Sequence, residues 1–366
     1  MNLSNLVTLL TRKAKFELAG LRAALVYPFR KKELIDRLSQ AMCNVNIETT
    51  NICNAKCVFC AYQYQTRATG VMDMGLFRKI IKEFVECGGG NLGFTPTVGE
   101  PLVDKHIIER IRYARRHPEI KSISMFSNML SLHKLGAEAL ATSGLSALTV
   151  STSGFDREMY LRVYRTTMYE RMLENVIEFA EVNNRLGRPV NFTVDMRVDR
   201  PLHEVLSYPD YHKVAAVVGV ENIGVKFRYD SWGGKITQEE LTGNMKLRRN
   251  LRPRWSPCTE LFMGPMVYWD GKVGGCNCRD VDASELVVGN VRNQHLADIW
   301  FGPELKRLRE EFTTSKIKNL CKSCTHYNHL SLYLRKDNAA VLEAFKPCQR
   351  PISKDAEKEN EQAAVT

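Results

Sequence analysis

No uninterrupted apolar run in this chain of 366 residues is long enough to span a bilayer. Nor is a cleavable leader expected, because Arg12, Lys13, Lys15, Glu17 and Arg22 interrupt the apolar residues before Pro28. No low-complexity tract appears before the charged stretch that follows Pro351, SKDAEKENEQAAVT, which lacks a core and is expected to be disordered. The 11 cysteines are too few for a disulfide scaffold of this size and too many to ignore. These absences exclude membrane-spanning and disulfide-stapled classes and point to a reducing cytoplasm, where thiols stay available for metal. What is present, 44% hydrophobic and 25% charged residues, is the composition of a globular protein with room for two domains or one large barrel with an appendage.

The net charge of +11 is unevenly placed. In residues 1–40, Arg12, Lys13, Lys15, Arg22, Arg30, Lys31, Lys32 and Arg37 outnumber Glu17, Glu33 and Asp36. Leu6, Leu9, Leu10, Phe16, Leu21 and Leu25 recur among them at roughly helical spacing. Residues 1–42 therefore read as a basic amphipathic helical extension. It either caps the barrel or makes weak, reversible contact with an anionic membrane surface. The basic residues are not interleaved with aromatics as in a nucleic-acid module, so no nucleic-acid partner is expected.

From Val45 to Tyr229, short apolar or alternating runs (VNIET, NLGFTPT, SISMFS, ALTVSTS, NFTVDMRV, NIGVKFRYD) alternate with amphipathic helical stretches that stop on glycine. Six strand–helix units mean parallel strands. The expected fold class is α/β, a partial (β/α)6 TIM-like barrel over residues 43–240, with chemistry at the carboxyl ends of the strands. In the fifth run Thr193, Asp195, Arg197 and Asp199 share a face, and in the sixth Lys226, Arg228 and Asp230 do. Their apolar faces must pack on helices, so the charged faces point inward, where they pair with one another or line a wet cavity.

Directly after the first run, NICNAKCVFCAY sets Cys53, Cys57 and Cys60 in a C-x3-C-x2-C pattern. A structural zinc site wants four ligands, so three thiols leave one coordination position open. TTNICNAKCVFC, with Phe59 before the third cysteine, resembles the opening motif of the radical S-adenosylmethionine (SAM) superfamily. VGEP, Val98 to Pro101, is similar to that family's Gly-Gly-Glu-Pro motif, with Val98 in place of the first glycine. The resemblance implies a 4Fe–4S cluster on the three cysteines, whose fourth iron takes SAM, and reductive cleavage to a 5′-deoxyadenosyl radical that removes a hydrogen atom from substrate. It also implies an electron donor such as flavodoxin or ferredoxin. Gly99 and Glu100 would meet the methionine amino group through their backbone, Phe59 the adenine, and Ser127, Asn128, Ser151 and Ser153 the ribose and carboxylate.

The C-terminal third carries CTELFMGPMVYWDGKVGGC and, later, LCKSC, a C-x12-G-x4-C followed by C-x2-C. This resembles the SPASM/twitch extensions of the same superfamily. Leu330 and Leu334 stand where a two-cluster SPASM domain would place further cysteines. The resemblance implies one auxiliary 4Fe–4S cluster held by Cys258, Cys276, Cys321 and Cys324 in a small twitch-type iron–sulfur domain over residues 241–350, with 351–366 as tail. Cys278 is the alternative to Cys276, and zinc is the alternative metal. Cys43, Cys87 and Cys348 read as ordinary cysteines. Arg197, Lys226 and Arg228 suit an anionic group on a substrate. The expected activity is oxidation or epimerisation of a small polar metabolite such as a sugar or cyclitol. A peptide-modifying enzyme or maturase is the alternative, and a zinc-holding scaffold is the alternative outside enzymes.

Overall fold

The structure, a computed structural model, describes residues 3–250, 253–277, 279–335 and 338–348, with side chains from Leu18 onward. The expected disordered tail and Cys278 lie outside the described residues. A 37-residue helix α1 (Leu3–Ser39) precedes six strands: β1 (Asn44–Ile47), β2 (Gly90–Gly93), β3 (Ile120–Ser127), β4 (Ala147–Thr152), β5 (Asn191–Arg197) and β6 (Ile223–Lys226). All six overlap the runs read from the sequence, with β1, β2 and β3 starting one or two residues earlier. They pair in parallel in chain order, so each connection is a crossover carrying at least one helix. The first of these, α2 (Met74–Glu86), is capped by the Asp73 carboxylate accepting from Leu76 N at 2.7 Å. It stops where Gly88, Gly89 and Gly90 all take positive φ.

The sheet extends beyond this barrel. After the short parallel pair β7 (Arg228–Tyr229) and β8 (Lys246–Leu247), strand β9 (Met266–Val267) lies parallel against β1. Strands β10 (Lys272–Gly274) and β11 (Val287–Asn290) continue antiparallel, giving nine strands in one sheet. The C-terminal third thus completes the edge of the sheet beside β1. Gly271 (φ 95°) turns the β9–β10 hairpin, and a side chain there would crowd Arg292 and Asn290.

Helix α1 packs on the C-terminal third. Tyr27, Leu34 and Leu38 are buried toward the C-terminal third, with the Tyr27 ring edge-on to His329 at 4.6 Å and the helix against the turn Leu330–Leu334. The cause is the return of β9 to β1, which puts the C-terminal third beside the segment that enters the sheet.

Candidate active site and iron–sulfur sites

Side chains from the carboxyl ends of all six barrel strands line one cavity of about 420 Å³, which requires a curved sheet. Cys53, Cys57, Phe59 and Cys60 come from the loop after β1, and Thr97, Gly99 and Glu100 from the loop after β2. Ser127 and Asn128 come from β3 and its exit, Ser151 from β4, Arg197 from β5 and Lys226 from β6.

The cysteine loop is held by its neighbours. Val58 N donates to Val163 O at 3.0 Å and Lys56 N to Tyr164 O at 3.2 Å. Asn51 donates to Ala68 O and accepts from Gly70 N, both at 2.9 Å, so the asparagine of the motif closes the loop on itself. Asn54 is bound by Asn128 at 2.7 Å, which joins this loop to the end of β3. Glu100 N donates to Ile52 O at 2.9 Å, and Gly99 (φ 128°) sits so close that a Cβ would lie 2.5 Å from Thr50 O.

Several polar groups assigned to cofactor at the sequence level have protein partners. The buried Glu100 carboxylate accepts from Ser127 Oγ (2.7 Å), Leu102 N (3.1 Å) and Asn128 N (2.8 Å), and burial pushes its carboxyl up to about 7. The Ser151 hydroxyl lies between Tyr164 Oη and Arg197 Nε, both at 2.8 Å. Ser153 is fully buried and is not among the residues lining the cavity, because β4 ends at Thr152 and the alternation that turns Ser151 inward does not extend to it. Phe59 lines the wall, stacked on Tyr229 at 5.4 Å with the Arg197 guanidinium 5.1 Å from its ring centre.

The charged inner faces of β5 and β6 divide between network and cavity. Asp195 pairs with Lys226 and with Arg197 at 3.7 Å, whereas Asp199 pairs with Arg162 at 3.1 Å. Arg228 lines the cavity too, from β7 and not from the sixth strand, which ends at Lys226. So does Arg248, which no local motif marked and which the β7–β8 pairing delivers to the cavity wall.

Cys258, Cys276, Cys321 and Cys324 line a second cavity, with the loops after β8 and β10 and the helix Asn319–Ser323 bringing them together. Arg279 and His326 belong to the walls of both cavities. Arg279 pairs with Asp230 at 2.7 Å and lies 4.6 Å from the Trp232 ring centre, and the Trp232 indole N–H donates to Phe59 O at 2.8 Å. This contact chain runs from the second cavity to the residue beside Cys60. Sequence spacing carried no signal for it.

Both thiol groups suit a multivalent cation. Burial pushes the Cys53 thiol up to about 12, and it also raises Cys60 and, with neighbouring thiols adding to it, Cys57. Burial does the same at Cys258 and Cys321, each to about 12. Thiolates gathered in such dry pockets need a cation to ionise. The buried Thr97 hydroxyl, on the first cavity's wall, has no hydrogen-bond partner among the described residues. Among the described residues no three Cys, His, Asp or Glu side chains meet at one point as ligands of a single ion.

Family models match the chain in two places: the radical SAM superfamily over residues 47–196, and the iron-sulfur cluster-binding domain SPASM over residues 258–325. The chain belongs to the radical SAM superfamily. It is an enzyme of that family, and its two modules imply SAM and 4Fe–4S clusters. The SPASM match contains Cys258, Cys276, Cys321 and Cys324. Among curated proteins, the GTP 3',8-cyclase of Chlorobaculum tepidum is 28% identical over 139 residues, 38% of this chain and 41% of that protein. That of Petrotoga mobilis is 26% identical over 181 residues, covering 44% and 55%. The chain thus matches about half the length of these relatives. Among solved structures, BtrN in complex with AdoMet and 2-DOIA superposes with TM-score 0.52 at 17% identity, covering 79% of this chain and 95% of BtrN. Streptococcus suis SuiB bound to precursor peptide SuiA gives TM-score 0.57 at 15% identity, covering 82% and 75%. These likenesses show the same fold: a partial radical SAM barrel followed by a SPASM-type domain.

Proposed function

We propose that this radical SAM enzyme removes a hydrogen atom from a small polar substrate carrying an anionic group, a phosphate or a carboxylate. The observation that carries this reading is the charge of the cavity. Arg197, Lys226, Arg228, Arg248 and Arg279 all line it. Arg197 and Lys226 share Asp195, and Arg279 holds Asp230. Arg228 and Arg248 have no carboxylate partner among the described residues. Each unpaired guanidinium on the cavity wall presents a planar donor fork that matches phosphate or carboxylate. The sequence reading leaned toward sugars and cyclitols. The relatives named GTP 3',8-cyclase extend the candidates to phosphorylated nucleosides.

When bound, SAM and the cluster at Cys53, Cys57 and Cys60 would supply the carbon radical that takes the hydrogen atom. The protein's own residues do the rest. Arg228 and Arg248 hold the anionic end and so fix which carbon faces the cysteine loop. Phe59, Tyr164 and Tyr229 form an apolar wall that keeps water from that carbon. Asp195 holds Lys226 and Arg197 in place, so their charge is directed and not mobile. Cys258, Cys276, Cys321 and Cys324 would hold an auxiliary cluster with no open position, which suits it to accept an electron and so favours net oxidation.

The test is anaerobic turnover of the reconstituted enzyme with carbon-deuterated sugar phosphates, nucleotides and their dephosphorylated counterparts. Deuterium should enter deoxyadenosine only from anionic compounds. Equal transfer from the neutral counterparts would overturn the reading.

A further inference from the structure

Helix α1 carries two apolar faces, and only one of them is used. Ala23, Tyr27, Leu34 and Leu38 are buried against the C-terminal third. On the opposite side Leu18, Leu21, Leu25 and Phe29 follow one another at three- and four-residue steps, which keeps them on a single stripe. Their exposures are 57%, 59%, 66% and 90%, and Val26 beside them is 44% exposed. Nothing from Leu18 to Arg22 is buried, so this part of the helix lies clear of the body.

The residues flanking the stripe decide what can cover it. Arg22, Arg30, Lys31 and Lys32 are exposed around it. Three acidic residues, Glu17, Glu33 and Asp36, share the helix with these cations, and Glu33 is engaged by Arg30 at 2.6 Å. Pairing of this stripe with its copy in a second molecule would bring basic flank against basic flank, a repulsive arrangement. An anionic lipid surface offers the complement, an acyl boundary for the leucines and Phe29 and headgroup phosphates for the flanking cations. Among the described residues no helix is long and apolar enough to cross a membrane, so the contact lies in the interface plane.

We infer that residues 18–32 of α1 form a reversible docking surface for an anionic phospholipid bilayer. The helix lies flat with Leu18, Leu21, Leu25 and Phe29 in the acyl boundary. Arg22, Lys31 and Lys32 meet the phosphates. The surface is built from residues that line neither cavity, so it acts on where the enzyme works and not on its chemistry.

The experiment uses the full chain with clusters loaded, sedimented with vesicles of phosphatidylcholine alone or mixed with phosphatidylglycerol. Binding should require phosphatidylglycerol and weaken as salt rises. L25S/F29S, and separately R22Q/K31Q/K32Q, should each weaken it by roughly tenfold or more. Because these side chains are exposed, melting temperature and iron content should match the parent, and SAM cleavage without vesicles should be unchanged. Three results would overturn the inference: no binding to either vesicle, equal binding to both, or L25S/F29S binding like the parent. A dimer in solution that L25S/F29S dissolves would also overturn it, by showing that a second copy covers the stripe.

Discussion

At the residue scale the cavity separates groups that hold the fold from groups free to hold a ligand. Arg228 and Arg248 are exposed and lack carboxylate partners among the described residues, whereas Arg197 is tied to Ser151 and Asp195. R228Q and R248Q should therefore each raise the substrate KM, by roughly tenfold for a lost charge-assisted bond, and leave the melting temperature alone. R197Q should lower the melting temperature as well, because it strips a partner from the buried Asp195 carboxylate. A drop in melting temperature for R228Q with unchanged KM would assign that arginine to the fold. At the cysteines, C53A/C57A/C60A should abolish deoxyadenosine formation while Cys258, Cys276, Cys321 and Cys324 still retain iron. Iron and sulfide analysis beside chromatography of the SAM products checks both halves.

At the element scale, function depends on how the loops at the strand ends are set. The Asp73 cap on α2 is the clearest local case. The Leu76 N–H, more than the Arg292 guanidinium, lowers its carboxyl below the ordinary carboxylate range. D73A should cost about 1 kcal/mol at neutral pH. With the folded value below the unfolded one, that contribution is complete above the ordinary value of about 3.9 and disappears as pH falls through the lowered folded value. Unfolding curves of parent and variant should therefore converge in acid. The VGEP loop has less freedom. G99A meets both a positive φ and a backbone oxygen, Thr50 O, at 2.5 Å. It should destabilise by about 1–3 kcal/mol and weaken SAM binding, read by calorimetry and equilibrium dialysis. Glycine here is required by close approach of two backbones, and no larger residue relieves it.

At the scale of the whole molecule, one nine-stranded sheet joins the barrel to the SPASM-type third, and Arg279, His326 and Trp232 link the two cavities. The two sites therefore share a wall and should influence each other. C321S/C324S should keep hydrogen-atom abstraction, seen as deoxyadenosine, yet lose oxidised product if the net reaction removes two electrons. Full product from this variant would make the second site structural and favour a redox-neutral epimerisation.

Much of this was legible from local pattern. Six strands and the glycine stops after α2 and before Arg188 were read from periodicity, and both sets of cysteines from motifs that resemble those of a known family, because strand alternation, helix termination and thiol chemistry act over a few residues. The charged faces of β5 and β6 were legible too, but not the division of labour on them, since the pairing of Asp195 with Lys226 depends on strand register. Arg248, Arg279 and Trp232 carried no signal, as their neighbours in space are distant in sequence. The return of β9 to β1, which draws α1 onto the C-terminal third, likewise gave no sequence cue. Sequence alone determined which chemistry the chain can host, because metal-binding thiols come as compact motifs. Tertiary structure decided which cations stay unpaired and which apolar face of α1 stays exposed, because both depend on what the rest of the chain has already covered.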